Sequence, residues 1–279
     1  MTGPQASLLP GDRLHLHHGP IDLIVGVDGP TRMASYAAAT ERFAQILPEL
    51  VEELPALRRA RVERTSFVGP VAKRMSRAVR PYQGVFVTPM AAVAGSVADE
   101  IIAVIVGSHR PPKAFVNNGG DIAFHLNGRS TFSAMGPSGK MTINTNDPMR
   151  GIATSGWRGR SHSRGIADAV TVLAPTAAAA DVAATLIANA VDLPDHPAIR
   201  RTPASDLSPD SDLGERYVTT DVGALSPNDV ARALCRGHKF AKHLLNDGLI
   251  FDAILSLQGT VMTATAPIEK TLQGIKANA

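Results

Sequence analysis

The sequence predicts an α+β fold in which an antiparallel sheet is packed by long helices. Three observations carry this. Alternating apolar runs come in pairs around turn residues: Arg13–His17 and Ile21–Val27 flank Gly19-Pro20, the pattern of a hairpin. Two long stretches, Thr31–Leu54 and Ala91–Val106, are helical by their apolar spacing or their small, apolar composition. Neither a Walker phosphate loop nor a complete Rossmann fingerprint occurs. Strands in hairpins with long helices laid across them make an antiparallel α+β architecture.

Each element has its own warrant. Residues 1–10 read as a loose tail. In the first strand, His15 and His17 share one face and His18 adds a third imidazole, but the face is one or two ligands short of a metal site and reads as an ordinary strand. Asp28-Gly29-Pro30 breaks the second strand. The helix that follows has an apolar stripe of Phe43, Ile46, Leu47, Leu50, Val51 and Leu54. A basic stretch, Arg58–Arg64, leads to Gly69-Pro70 and a helix over Val71–Val79 with Lys73, Arg74 and Arg77 on its polar side. Val85-Phe86-Val87 is predicted to be a short buried strand. In the helix over Ala91–Val106, Gly95 permits close packing. Asp99 there is either a helix-surface acid or a buried one that needs a partner.

Beyond the central turn, Arg129–Ala134 and Met141–Thr145 form a hairpin across Gly136-Pro137-Ser138-Gly139, a loop that also suits a ligand. Gly151-Ile152-Ala153 is a short apolar run that ends at Thr154-Ser155-Gly156. Ile166–Ala174 reads as a strand containing Asp168. Thr176 then caps an alanine-rich helix to Ala190. Residues 192–214, rich in Pro, Asp and Ser, read as a loop or boundary. Arg216–Val222 is a strand, and Ser226-Pro227 starts a helix that runs to about Asn246. Gly248–Leu257 reads as an apolar strand or helix, with strand favoured, and Thr260–Thr265 as a further strand after it. The whole reads as one domain over 1–279, with its core motifs in 89–191 and a C-terminal subregion at 215–279.

Composition bounds the function. At 279 residues with 44% hydrophobic and 19% charged side chains, the chain suits a globular fold with a sizeable core. The formal charge is only +3, and the basic residues sit in short clusters rather than a long tract. That argues against a nucleic-acid binder and suits a local anionic ligand such as a phosphate. The one cysteine, Cys235, excludes an intramolecular disulfide framework and a multi-cysteine zinc site, and is read as buried filler. The N-terminus lacks the basic-then-apolar pattern of a signal peptide, and no apolar run is expected to reach membrane-spanning length. The expected location is cytoplasmic.

The chain is organised around Val116–Gly128, Val-Asn-Asn-Gly-Gly-Asp-Ile-Ala-Phe-His-Leu-Asn-Gly. An apolar run enters it and an alternating strand (Ile122, Phe124, Leu126) leaves it. Adjacent Gly119 and Gly120 allow a sharp turn or a close approach to the backbone. Asp121 is then either a turn acid or a carboxylate able to hold a backbone, a sugar hydroxyl or a metal. Downstream, Trp157–Arg164 gathers three arginines (Arg158, Arg160, Arg164), His162 and two serines in one loop, donors suited to phosphate. Asp181 and Thr185 lie at i and i+4, so they share a helix face, as an ordinary surface pair or as hard oxygens offered to Mg²⁺.

Four stretches in order, Gly95-Ser96-Val97-Ala98-Asp99, Gly119-Gly120-Asp121, Thr154-Ser155-Gly156 and Ala180-Asp181 with Thr185, resemble the motifs of the ApbE-like superfamily, the FAD:protein FMN transferases. The resemblance covers about Pro89–Val191 and is nearest to a compact bacterial and archaeal branch. It implies a T-fold-like ApbE-type architecture, FAD as substrate beside Mg²⁺, and FMN transfer to a Thr or Ser of a partner flavoprotein. Residue by residue, it implies catalytic roles at His162, Asp121 and Ser155. Nucleotide contacts fall at Asn118, Gly119, Gly120, Thr154, Gly156, Arg158 and Arg160, and the metal at Asp181 and Thr185. It also implies assembly, with a homodimer the simplest form. The chain departs from the family after His162, where Ser163-Arg164-Gly165-Ile166-Ala167-Asp168 replaces the Ile-Asp-Pro and Thr-Gly segment. That departure keeps two other readings open: a hydrolase or ring-opening enzyme on a small anionic metabolite, and a non-catalytic accessory protein.

Overall fold

The computed structural model describes residues 3–60, 66–136 and 139–265. The chain opens with three antiparallel strands, β1 (Gln5–Leu9), β2 (Arg13–His18) and β3 (Ile21–Val27). The expected loose tail is therefore an edge strand over most of its length. Its exposed residues gave no amphipathic signal, and its pairing with β2 is what holds it extended. Along β2 and β3 every second residue (Leu14, Leu16, Leu23, Val25) turns into the core, while His15 and His17 turn out. His15 Nε2 is bonded to Asp22 Oδ1 across the pair at 3.1 Å.

Helix α1 (Arg32–Leu57) lies over this sheet. Its buried line is Tyr36, Ala39, Phe43, Ile46, Leu50 and Leu57, at helical spacing. The stripe is narrower than the sequence suggested, since Val51 is 49% exposed. One residue beyond Leu50 lies about 100° further round the helix, which carries Val51 off the core face. Helix α2 (Pro70–Val79) starts with proline at its first turn, and the preceding Val68 and Gly69 N–H groups donate to Glu53 of α1. The basic stretch Arg58–Arg64 lies partly outside the described residues. Val85-Phe86-Val87 is not a strand: it is a loop in which Val85 is exposed and Phe86 lies under the Arg216 guanidinium at 3.4 Å. With no strand beside it, its apolar run is held by this contact instead of a ladder.

A one-turn 3₁₀ segment, Pro89–Ala92, leads into α3 (Val93–His109). Together they form a stretch of 21 residues with mean hydropathy 1.8, long and apolar enough to cross a membrane by length and composition. This corrects the expectation that no run reaches that length. Half of it is buried, against α1, α2 and the sheet, as a core helix would be. Strands β4 (Lys113–Asn118) and β5 (Asp121–Leu126) form a tight hairpin whose two turn residues, Gly119 and Gly120, both have positive φ (65° and 113°).

The hairpin β6 (Thr131–Gly136) and β7 (Gly139–Asn144) folds over the sheet face opposite the helices, burying Phe132 and Ile143 against Phe124, Ile152 and Leu173. The middle of its connecting loop, read as a ligand cradle, lies outside the described residues. Strands β8 (Gly151–Ser155) and β9 (Ala169–Ala174) return to the main sheet, and α4 (Ala177–Ala190) covers them with Thr176 as its cap. The region read as a loop holds β10 (Ile199–Pro203) and one helical turn, α5 (Ala204–Leu207). β10 pairs with β11 (Tyr217–Val222). A bulge after Arg200 breaks the register, which hides the strand's alternation. Helix α6 (Pro227–Asn246), capped by Ser226, packs on α4, and β12 (Asp252–Leu257) with β13 (Thr260–Thr265) ends the described chain. Cys235 on α6 is exposed rather than core filler, because Ala233, Leu234 and Gly237 take the buried side of that turn.

The main sheet has nine strands in the order β1-β2-β3-β4-β5-β8-β9-β12-β13, every neighbour antiparallel. The seat of α4 against α3 and this sheet is fixed by three residues. Asp99 of α3, 8% exposed, accepts the N–H groups of Ala177 (3.0 Å) and Ala178 (2.9 Å) in the first turn of α4. A Cβ at Gly95 or at Gly151 would collide with the backbone of that same turn. Asp99→Ala is expected to destabilise the fold by about 2 kcal/mol, since it leaves two N–H groups without partners at a buried helix start. A lower urea midpoint at unchanged m-value would register this loss, and an unchanged midpoint would refute it.

Candidate functional site

The docking of α4 on α3 brings three acids of distant sequence position into one region. Asp181, one turn beyond the start of α4, accepts the Gly95 N–H through Oδ2 at 3.0 Å. Asp121, the first residue of β5, accepts the Thr154 N–H at 3.3 Å. Asp99 stands behind Asp181 on α3. Burial raises the Asp181 carboxyl well above the usual range, and the neighbouring Asp121 and Asp99 charges push it higher, against the N–H groups of Gly95 and Ala94. Burial likewise pushes Asp121 up to about 7, opposed by the Thr154 N–H and the Arg160 guanidinium. Asp121 and Asp181 therefore form an interacting pair of like charges, the arrangement that functional sites build and cores avoid.

The turn before Asp121 is shaped from beneath and above. The Asn118 amide is buried and donates to the Ala94 carbonyl at 3.1 Å, tying the end of β4 to α3. Asn117 Oδ1 accepts the Gly120 N–H at 2.8 Å. Over Gly119 lies the Arg160 guanidinium, where any Cβ would collide with it. The left-handed φ of Gly119 calls for glycine, and a Cβ there would displace the Arg160 guanidinium.

The Trp157–Arg164 loop divides its donors. Arg158 Nε binds Asp168 Oδ1 at 2.9 Å and its guanidinium stacks 4.5 Å over the Trp157 ring, while Trp157 Nε1 reaches the same oxygen at 3.2 Å. The other Asp168 oxygen takes the Gln258 N–H at 2.6 Å. Arg160 makes no ion pair among the described residues, and its charge is the one that reaches Asp121. His162 is exposed, with no hydrogen bond from its ring among the described residues. The backbone N–H of Arg164 and the Ser163 hydroxyl both donate to Asn189 Oδ1, eight residues beyond Asp181 on α4, about 12 Å along the axis. Gly156 packs so closely on the Asp168 and Ala167 carbonyls that no side chain fits. Ser155 alternates with Gly151 and Ala153 on the α4 side of β8, and Thr154 bonds the Thr171 hydroxyl at 2.9 Å. Thr185 is half-buried one turn beyond Asp181.

Of the residues singled out from the sequence, the structure brings together Gly119, Gly120, Asp121, Thr154, Arg160 and Asp181. Sequence reasoning placed Asp99 in its motif without the role it plays, and it missed the anchoring parts of Asp168 and Asn189. No local signal marks either of these two, because each acts on residues 10 to 90 positions away.

A family model described as AbpE bacteria matches residues 5–263. The chain belongs to the AbpE bacteria family. That places it in the ApbE-like superfamily its motifs resemble. A UPF0280 protein of Methanopyrus kandleri is 34% identical over 186 residues, 60% of this chain and 69% of that one. A UPF0280 protein of Methanothermobacter thermautotrophicus is 37% identical over 135 residues, 46% of this chain and about half (51%) of that one. The flavinyl transferase ApbE of Pseudomonas stutzeri, in its apo form, superposes with a TM-score of 0.50 at 11% identity, covering 100% of this chain and 99% of its own. A variant of flavin transferase ApbE from Vibrio cholerae gives 0.50 at 12% identity, covering 93% and 99%. At such identities the likeness is one of fold, and the α+β architecture of this AbpE bacteria member is the ApbE architecture.

The raised Asp121 value has a consequence for stability. A carboxyl whose folded pKa lies above its unfolded one contributes stability at low pH and loses it as pH rises through the folded value. Metal-free protein is expected to lose thermal stability as pH rises from about 4 to about 7, with Asp181 acting in the same sense. Asp121→Asn should flatten that part of the profile in thermal denaturation with chelator present. An equal slope in variant and wild type would exclude the assignment.

Proposed function

We propose that this chain is a Mg²⁺-assisted, flavin-nucleotide-handling protein that transfers FMN from FAD to a Thr or Ser hydroxyl of a partner flavoprotein. The single observation that carries this is the Asp121–Asp181 pair beside the Gly119-Gly120 turn, in a member of the AbpE bacteria family.

The donor set fits Mg²⁺. Among the described residues no three His, Cys, Asp or Glu side chains form a metal-holding group, which argues against a closed zinc site. Two carboxylates that repel each other suit a hard divalent cation, which takes one or two carboxylates and keeps its remaining positions for water and phosphate oxygens. Asp181 and Asp121 would hold it, with the Thr185 hydroxyl one turn along the same helix face. Bound there, Mg²⁺ supplies positive charge against the pyrophosphate oxygens.

The protein's own groups do the rest. In the transfer, the acceptor hydroxyl oxygen forms a bond to the FMN phosphorus, the bond from that phosphorus to the bridging oxygen breaks, and AMP leaves with that oxygen. The hydroxyl proton goes to a base. With Asp121 engaged by the cation, the exposed His162 is the group suited to that role from the loop. The Arg160 guanidinium faces the same turn and offers a planar fork to phosphate. Thr154, Ser155 and Gly156 stand at the end of β8, where the Thr154 N–H reaches Asp121. The Nε–H of Arg158 is engaged by Asp168 and its guanidinium stacks on Trp157, which makes Arg158 an anchor of the loop in this reading.

The test is a thermal-shift titration with FAD, FMN and AMP, each with and without Mg²⁺. FAD with Mg²⁺ together should raise stability by about 2–3 kcal/mol at a hundredfold excess over Kd, and neither alone should match it. Asp181→Asn should abolish the Mg²⁺ dependence while the variant still folds cooperatively. Absence of any flavin-nucleotide shift in the presence of Mg²⁺ would sink the proposal.

A further inference from the structure

Among the described residues, the Arg160 guanidinium over the glycine turn makes no ion pair. Arg158, two residues earlier, is bound to Asp168 and stacked on Trp157. Arg201 is paired with Asp192, Arg42 with Glu49 and Glu100, and Arg74 with Glu100. Arg160 is exposed and makes no ion pair within 4.0 Å among the described residues, and its Nη2 occupies the space where a side chain at position 119 would begin. The fit depends on the missing side chain at 119, and the left-handed turn keeps that position open. From there its charge reaches Asp121, which faces Asp181.

We infer that Arg160 is a two-state counter-ion. Seated on Gly119 it offsets the Asp121–Asp181 carboxylates in the metal-free site, and when the diphosphate of a nucleotide arrives it becomes the hydrogen-bonding fork for that diphosphate, leaving the carboxylates to the cation. This rests on the proposed function and names the group that selects a pyrophosphate over a monophosphate ligand. Two physical arguments support it. A guanidinium and a divalent cation compete for the same pair of carboxylates, so each weakens the other's hold. A guanidinium on an exposed loop, without an acid of its own, keeps all its donors available for a phosphate. The prediction is a pair of effects with opposite signs, which a merely structural residue would not produce.

Isothermal titration reads both arms on the full chain, with Mg²⁺ alone, inorganic pyrophosphate with Mg²⁺, and FAD and FMN with Mg²⁺ as probes. Arg160→Ala is expected to tighten binding of Mg²⁺ alone by about three- to tenfold, the effect of removing one partly screened positive charge. The same variant should weaken pyrophosphate and FAD by about ten- to a hundredfold, the loss of a charge-assisted fork, and FMN by less. Arg160→Lys retains the charge without the planar fork, so its Mg²⁺ affinity should match wild type while its pyrophosphate affinity recovers only in part. Gly119→Ala, which pushes the guanidinium off its seat, should reproduce the Mg²⁺ effect of Arg160→Ala. Weaker Mg²⁺ binding in Arg160→Ala, or unchanged pyrophosphate binding, overturns the inference while wild-type FAD binding leaves the proposed function standing. Wild type that binds neither Mg²⁺ nor FAD overturns both.

Discussion

The docking of the first turn of α4 onto α3 is the contact on which the rest of the site depends. Asp99 takes two N–H groups that a helix start leaves without partners, and it does so from inside the core, where water offers no substitute. Gly95 and Gly151 let α3 and β8 close on that turn to backbone contact. Because Asp99 already occupies the positive end of α4, the helix terminus is not the anion site here. The α4 end instead contributes an acid one turn further on, and the Gly95 N–H that binds it comes from the same helix as Asp99.

This arrangement explains why the site is electrostatically uneasy. Three carboxylates, Asp99, Asp121 and Asp181, are drawn together by packing, and Asp99 is taken up by the two N–H groups that start α4. Burial raises the proton affinity of both remaining carboxyls, and the Asp121 charge raises that of Asp181 further. A core residue pair of this kind would be replaced by apolar groups at little loss. Here it lies beside a turn with two positive-φ glycines and an arginine without an acid partner among the described residues, the setting that the proposed cation and diphosphate would use.

Much of this was legible beforehand where the physics is local. Thr176 and Ser226 accept N–H groups in the first turns of α4 and α6, as their cap positions indicated. The Gly119-Gly120 turn joins two strands, and the alternation in β2 and β3 assigns their inner faces correctly. The failures are as instructive. β1 and β10 were read as loops because an exposed edge strand and a bulged strand lack the alternation of a half-buried one. Val85-Phe86-Val87 has the composition of a strand but no neighbour to pair with. Arg158 and Arg160 are equivalent in sequence, and their different fates depend on Asp168 and Gly119, whose positions relative to the loop only the folded chain sets.

The sequence by itself determined the periods, the turns and the caps, because those follow from the backbone preferences and the hydrogen bonds of residues within a few positions of one another. It also determined which acids and which arginine were available for chemistry. Only the tertiary structure decided that Asp121 and Asp181, sixty residues apart in the chain, would share one site, that Asp99 would be a structural clamp and not a third ligand, and that Arg160 would stand over the glycine turn. The reason is that a charge's energy depends on distance and on the water excluded around it, and both are properties of the packed molecule.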